Sequence, residues 1–187
     1  MSIGHSIHPI EVFVELLRGH GVGSVADVRT SPCSRFNSQF NRHALERDLQ
    51  AVGIRYLFLG EALGGRPEGD RFYDHEGHVL YGRIAESRRF ESGLSRLVEQ
   101  SEHSRVAVMC SEENPAGCHR FLLVTRALHG RGVEVVHIRG DGSTQRTDDV
   151  DAFRGWSDPV YENVSLLDGS VCSSWRSIRP VTHRGSV

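Results

Sequence analysis

Arg105-Val106-Ala107-Val108-Met109-Cys110-Ser111-Glu112-Glu113-Asn114-Pro115-Ala116-Gly117-Cys118-His119-Arg120 is the stretch on which the fold turns. It opens with a short apolar run, Arg105 to Met109, that reads as a buried strand. A loop carrying Pro115 and Gly117 follows. Cys118 to His129 then reads as a helix, stopped by Gly130 and Gly132. Val133 to Ile138 is the next strand. Strand, helix, strand in this order is the unit of a parallel sheet, because parallel neighbours need a long crossover.

The same alternation extends towards the amino terminus. Ser2 to Gly4 reads as a truncated first strand, and Val22 to Val28 and Ile54 to Leu59 as further strands. Pro9 to Arg18 predicts a helix with Ile10, Phe13, Val14 and Leu17 on one face, and proline suits its first position. Arg42 to Val52 predicts another, with Leu45, Leu49 and Val52 at helical spacing before Gly53. Glu61 to Tyr73 reads as a long loop, and Tyr81 to Gln100 as helical in two pieces. The expected architecture is α/β: a mainly parallel central sheet with helices on both faces, in a single compact domain. That domain spans residues 1–140. Residues 141–187 form a C-terminal extension packed on it, with a poorly ordered end.

Composition narrows the function classes. The chain has 187 residues, enough for one sizeable core. Its 38% hydrophobic and 25% charged residues fit a globular protein rather than a disordered one. No apolar run approaches the roughly 18 residues of a membrane span, so no membrane partner is expected. The amino terminus lacks the basic flank and apolar core of a signal peptide, which predicts a cytoplasmic location. Cys33, Cys110, Cys118 and Cys172 are then read as reduced thiols. A net charge of −2 gives no general attraction to nucleic acid. There is no lysine, so none can serve as a Schiff-base nucleophile or phosphate-loop cation.

Ligands of open α/β sheets bind beyond the carboxyl ends of the strands. Here those ends carry His5-Ser6, Asp27-Val28-Arg29, Gly60-Glu61 and Cys110-Ser111-Glu112, and His5, Asp27, Glu61 and Cys110 are expected in one cleft. Asp27 and Glu112 are candidate acid–base carboxylates. The alternatives are a structural Asp27–Arg29 pair and a solvated loop carboxylate. Arg29 and Arg35, with Ser31 and Ser34, offer forked donors and hydroxyls suited to phosphate or carboxylate. Ser6, Glu61, Arg66, His119 and Arg120 complete the candidate substrate contacts. Cys110 is either a nucleophilic thiol, served by His119 or His5, or a small buried hydrophobe. Cys118 reads as packing or capping. Cys110, Cys118 and His119 can also be read as zinc ligands. However, seven residues separate the two cysteines, wider than the usual two to four, and no second close pair exists. No metal and no cofactor are therefore expected. Phe72, Tyr73 and Tyr81 either stack a base or fill the core.

Several short motifs in order carry a resemblance. They are Ile3-Gly4-His5-Ser6, Asp27-Val28-Arg29 with Pro32 and Ser34, Phe40-Asn41, Gly53-Ile54-Arg55-Tyr56, Leu63-Gly64-Gly65-Arg66, Met109-Cys110-Ser111-Glu112 and Cys118-His119-Arg120. From Ile3 to about Ile138 the chain resembles the DUF488 family, a domain of unknown function. The resemblance implies a compact α/β domain and brings no reaction with it. Asp27-Val28-Arg29 and Cys110 are also loosely similar to rhodanese-like domains. Those have a short, anion-wrapping loop after the cysteine, whereas this loop is longer and holds Glu112, Glu113 and Pro115.

The leading expectation is an enzyme, a hydrolase or transferase, acting on an anionic phosphate-bearing partner. A nucleotide or nucleic acid is the foremost candidate, cleaved at an N-glycosidic or phosphoester bond. The alternatives are cysteine-dependent sulfur or group transfer at Cys110, and a non-catalytic module that binds a nucleotide or a protein.

Overall fold

The computed structural model describes residues 1–156 and 175–181 of the chain. At its centre lies β4 (Val106–Cys110), buried at every position. It runs parallel to β1 (Ser2–Gly4) on one side and β2 (Ser24–Asp27) on the other. β3 (Arg55–Phe58) continues the parallel array beyond β2, and β5 (Val136–Ile138) continues it beyond β1. The sheet order is β3-β2-β4-β1-β5-β6, and β6 (Thr144–Arg146) is antiparallel to β5. A mainly parallel α/β sheet is thus what the chain forms. β6 is an addition to the sequence reading. An exposed edge strand needs no apolar face, so its residues Thr144-Gln145-Arg146 give no hydrophobic signal.

Side-chain alternation along the strands feeds two cores. Ile3, Val25, Ala107 and Met109 pack with Phe13, Val14 and Leu17 of α1 (Ile10–Gly19) and with Leu45 and Leu49 of α2 (Arg42–Ala51). On the other face Ala26, Val106, Val108 and Cys110 meet the apolar side of α5 (Arg88–His103), Phe90, Leu94 and Leu97. Period-two strands between period-3.6 helices thus cover both faces. The loop expected from Glu61 to Tyr73 begins inside the short helix α3 (Gly60–Leu63). The two-piece helix is real: α4 (Tyr81–Ala85) ends, and Ser87 starts α5 by accepting from the Phe90 N–H. The helix expected from Cys118 is π-helical over Arg120–Thr125 before α6 (Arg126–His129). Such wide turns are often found at functional sites.

Part of the C-terminal extension packs on the domain. Trp175 Nε1 donates to the Leu122 carbonyl at 2.6 Å, and Trp175 and Val181 rest against the α5-side core. Cys172 and the expected poorly ordered end lie outside the described residues. Among the described residues no helix is long and apolar enough to cross a membrane.

One buried group makes stability depend on acid. His137 of β5 is fully buried, with Nδ1 2.6 Å from Ser2 Oγ. Burial first, and then the Arg120 charge, lower its pKa to about 3. An unfolded chain takes up that proton near pH 6.5, whereas the folded chain resists until about pH 3. The unfolded state therefore binds more protons in this window, and stability should fall as pH drops through it. His5 is also lowered, to about 4, and adds to the same slope. Urea midpoints between pH 7 and pH 4 should decrease, and His137→Gln should flatten the decline. An unchanged slope in that variant would contradict the assignment.

Candidate active site at the carboxyl edge of the sheet

The register of the parallel strands sets the stage. Gly4 pairs with Cys110, and Asp27 pairs with Met109. The ends of β1, β2 and β4 therefore open onto one edge, as expected. The side chains there separate into two groups with different characters.

The first group is closed on itself. Arg29 donates from Nε to Asp27 Oδ1 at 2.9 Å and from Nη2 to Oδ2 at 2.6 Å. The Arg29 backbone N–H adds a bond to Oδ1 at 3.0 Å, and Tyr56 Oη donates to Oδ2 at 2.7 Å. The remaining donors of Arg29 reach the Phe40 carbonyl at 2.7 Å and His5 Nε2 at 3.0 Å. Asp27 is 0% exposed and Arg29 6%. His5 stacks on Phe40 at 4.1 Å between centroids. Burial first, then the Arg29 charge, hold His5 neutral with a pKa of about 4, and its Nδ1–H donates to the Ser6 carbonyl at 2.9 Å. Burial, and then the Asp27 carboxylate, push the Tyr56 phenol well up. These partners are all internal. Asp27, Arg29 and His5, expected as acid–base group, substrate donor and base, bond to one another here. The structural Asp27–Arg29 pair fits the geometry, because both carboxylate oxygens and four of the five guanidinium N–H groups bond to internal partners. Tyr56 and Phe40 escape sequence reasoning as members of this network. Nothing in their spacing links them to Asp27.

The second group has one exposed member, Glu112. Donor atoms of Cys110, Glu112, Cys118 and His119 all lie within 4.8 Å of one another. Cys110 Sγ, at the end of β4, lies 2.7 Å from Glu112 Oε2 and 2.6 Å from Cys118 Sγ. Cys118 Sγ is 3.9 Å from His119 Nδ1 and receives the Arg120 backbone N–H at 3.5 Å. His119 Nε2 is 2.9 Å from the Val28 carbonyl, which can only accept. Nε2 therefore carries a proton, and Nδ1 is the nitrogen turned to the sulfurs. Both thiols are buried, His119 is partly so, and Glu112 is exposed. Burial raises the Cys110 thiol, but contacts with Cys118, His119 and Arg120 outweigh it and leave it well below its usual range. Burial and the neighbouring Cys110 push Cys118 up. For His119, burial works downward but contact with Cys110 prevails, and its pKa is raised.

Arg120 builds the loop that carries this group. It is 0% exposed and reaches the carbonyls of Glu112 and, at 2.7 Å, Glu113. Its Nε donates to Ser2 Oγ at 3.3 Å. Arg120, expected among the substrate contacts, turns its guanidinium to its own loop. Glu113 is likewise engaged, accepting from Arg139 at 2.9 and 2.8 Å and from the Gly140 N–H at 3.0 Å.

The family described as domain of unknown function DUF488 matches residues 9–127, well over half of the chain. The chain belongs to the DUF488 family. No curated protein and no solved structure matches it. Three glycines of this DUF488 domain show why its motifs need that residue. A Cβ on Gly4 would strike the Glu112 carbonyl, one on Gly64 the Gly60 carbonyl and Thr30 Oγ1, and one on Gly65 the His119 ring. The Leu63-Gly64-Gly65-Arg66 segment therefore lies against the imidazole, and Thr30 Oγ1 accepts the Arg66 N–H at 3.1 Å. Arg66 is exposed, and its charge is felt at Tyr81 together with those of Cys110, Cys118 and Glu112.

The other candidates of the DUF488 edge are more peripheral. Ser34 Oγ accepts the N–H groups of Phe36 and Asn37, both at 3.2 Å, and so shapes its own turn. Ser31 and Arg35 are exposed, and Ser6 is half-buried. Glu61 does not enter the cleft expected for it. Its exposed carboxylate faces Arg89 at 3.5 Å, because α3 packs on α5. Phe72 and Tyr81 belong to the core, and Tyr73 packs against it.

Proposed function

We propose that the protein is an enzyme, a hydrolase or transferase, whose reaction centre is the Cys110–Glu112–Cys118–His119 cluster. Its substrate is an anionic, phosphate-bearing molecule, a nucleotide or nucleic acid. One observation carries this reading: Glu112 is the exposed member of a group with two buried thiols and a partly buried imidazole, and lies 2.7 Å from Cys110. A carboxylate so placed can take a proton from an attacking water and return it to a leaving group. Arg66 at the border and Arg35 on the loop after β2 are exposed cations suited to the anion. Arg35 lies 5.8 Å from the ring centroid of Phe36, which is 88% exposed, a pairing on which a base can stack. A cytoplasmic setting suits two reduced thiols in contact.

The test is Glu112→Gln, which keeps the shape and removes the base. Turnover should fall about 100- to 10,000-fold, with the melting temperature almost unmoved. It should be measured on a panel of nucleotides, phosphoesters and N-glycosides. A fully active variant would sink the proposal. The contact between Cys110, Cys118 and His119 favours a second reading, thiol group transfer. That reading requires a covalent adduct on Cys110, detectable by mass spectrometry during turnover, and fast selective alkylation by iodoacetamide.

A further inference from the structure

We propose that Cys110, Cys118 and His119 bind one thiophilic divalent ion, zinc in the first instance, with Glu112 at its open side. The inference deepens the reading above, since the ion would serve that reaction centre, but binding can be tested without turnover.

The donor set is the first argument. Two sulfurs, an imidazole nitrogen and a carboxylate oxygen converge within 4.8 Å. Soft sulfur with nitrogen is the set that selects zinc over calcium or magnesium. A tetrahedral zinc would place its sulfur and nitrogen ligands about 3.6 Å apart and two sulfurs about 3.8 Å apart. Cys118 Sγ and His119 Nδ1 are 3.9 Å apart already. The sulfurs, at 2.6 Å, would have to part by about 1 Å, a small turn of two side chains.

The second argument is independent of the cluster itself. Ligand imidazoles are held by a hydrogen bond from the far nitrogen, which fixes the tautomer and aims the near one. The Val28 carbonyl does this for His119 Nε2 at 2.9 Å, and Nδ1 faces the sulfurs. The Arg120 N–H reaches Cys118 Sγ, as backbone donors do for bound thiolates. The long spacing that argued against a metal is bridged by the fold. β4 ends at Cys110, and the chain returns with Cys118 and His119 ahead of the π-helical turn, its loop clamped by Arg120. Three protein ligands that leave the fourth position open, with a carboxylate beside it, is the pattern of an ion that activates water.

The experiment uses the full chain, reduced, stripped with a chelator and titrated anaerobically with Co2+. One equivalent should bind, with a thiolate-to-cobalt charge-transfer band and intense tetrahedral bands, both displaced by Zn2+. Cys118→Ser and His119→Gln should weaken binding by more than the roughly 10- to 100-fold of a group that only orients a ligand. Cys33→Ser should leave it unchanged. Zinc should also shield Cys110 and Cys118 from iodoacetamide in the wild type, which decides the matter should the variants fail to fold. Absence of the charge-transfer band, an unchanged band in folded Cys118→Ser, or unshielded thiols would each overturn the proposal. Stripped protein that binds no cobalt yet turns over substrate would end the metal and spare the reaction centre. Cobalt bound through these residues, beside a fully active Glu112→Gln, would establish the metal and end the reaction centre.

Discussion

Asp27→Asn is expected to cost about 3–5 kcal/mol of folding stability, because it breaks a buried ion pair by removing one partner. Asp27 accepts four hydrogen bonds, three from Arg29 and one from Tyr56. An asparagine keeps one acceptor oxygen and turns an NH2 group toward donors that it cannot satisfy. Arg29 retains His5 and the Phe40 carbonyl but loses its counter-charge. The network spans the ends of β1 and β2 and the turn before α2, so the loss should appear as a lower urea midpoint with an unchanged slope. The molecules that remain folded should keep their activity. A variant as stable as the wild type would refute the structural role.

Arg120→Met is expected to be destabilising by about 1–3 kcal/mol, since it strips two part-buried carbonyls of their donor and a fully buried one costs roughly that much. The methionine fills much of the volume and recovers the penalty of burying a charge, which tempers the loss. What it cannot replace is the grip on the Glu112 and Glu113 carbonyls. The loop should loosen while β4 and α5 hold, and the variant should lose its turnover even where it folds. Hydrogen exchange should rise in residues 111–119 more than in the strands. Uniform exchange across the domain would show that Arg120 supports the whole core and not the loop.

Much of this was legible in the chain. The apolar alternation of Val106 to Met109 and the 3.6-residue stripe of Phe13, Val14 and Leu17 report burial directly, so the sheet and its main helices are readable. The edge rule placed Cys110 and Asp27 at one side correctly. Three things were hidden. β6 has no buried face to write in apolar letters. Arg29 and Arg120 look in sequence like surface donors, and only packing shows that both are buried and turned to internal acceptors. The meeting of Cys110 with Cys118 and His119, weighed in the sequence as a zinc set, was obscured by a seven-residue loop whose closure the spacing rules for close cysteine pairs do not describe.

The central claim is that chemistry belongs to the exposed Glu112 cluster and architecture to the buried Asp27–Arg29 pair. Turnover per folded molecule, measured for Glu112→Gln and Asp27→Asn side by side on one substrate, tests it most directly. The expected result is a stable but inactive Glu112→Gln and a weakened Asp27→Asn whose folded fraction works at near wild-type rate. A fully active Glu112→Gln beside a stable, inactive Asp27→Asn would contradict it.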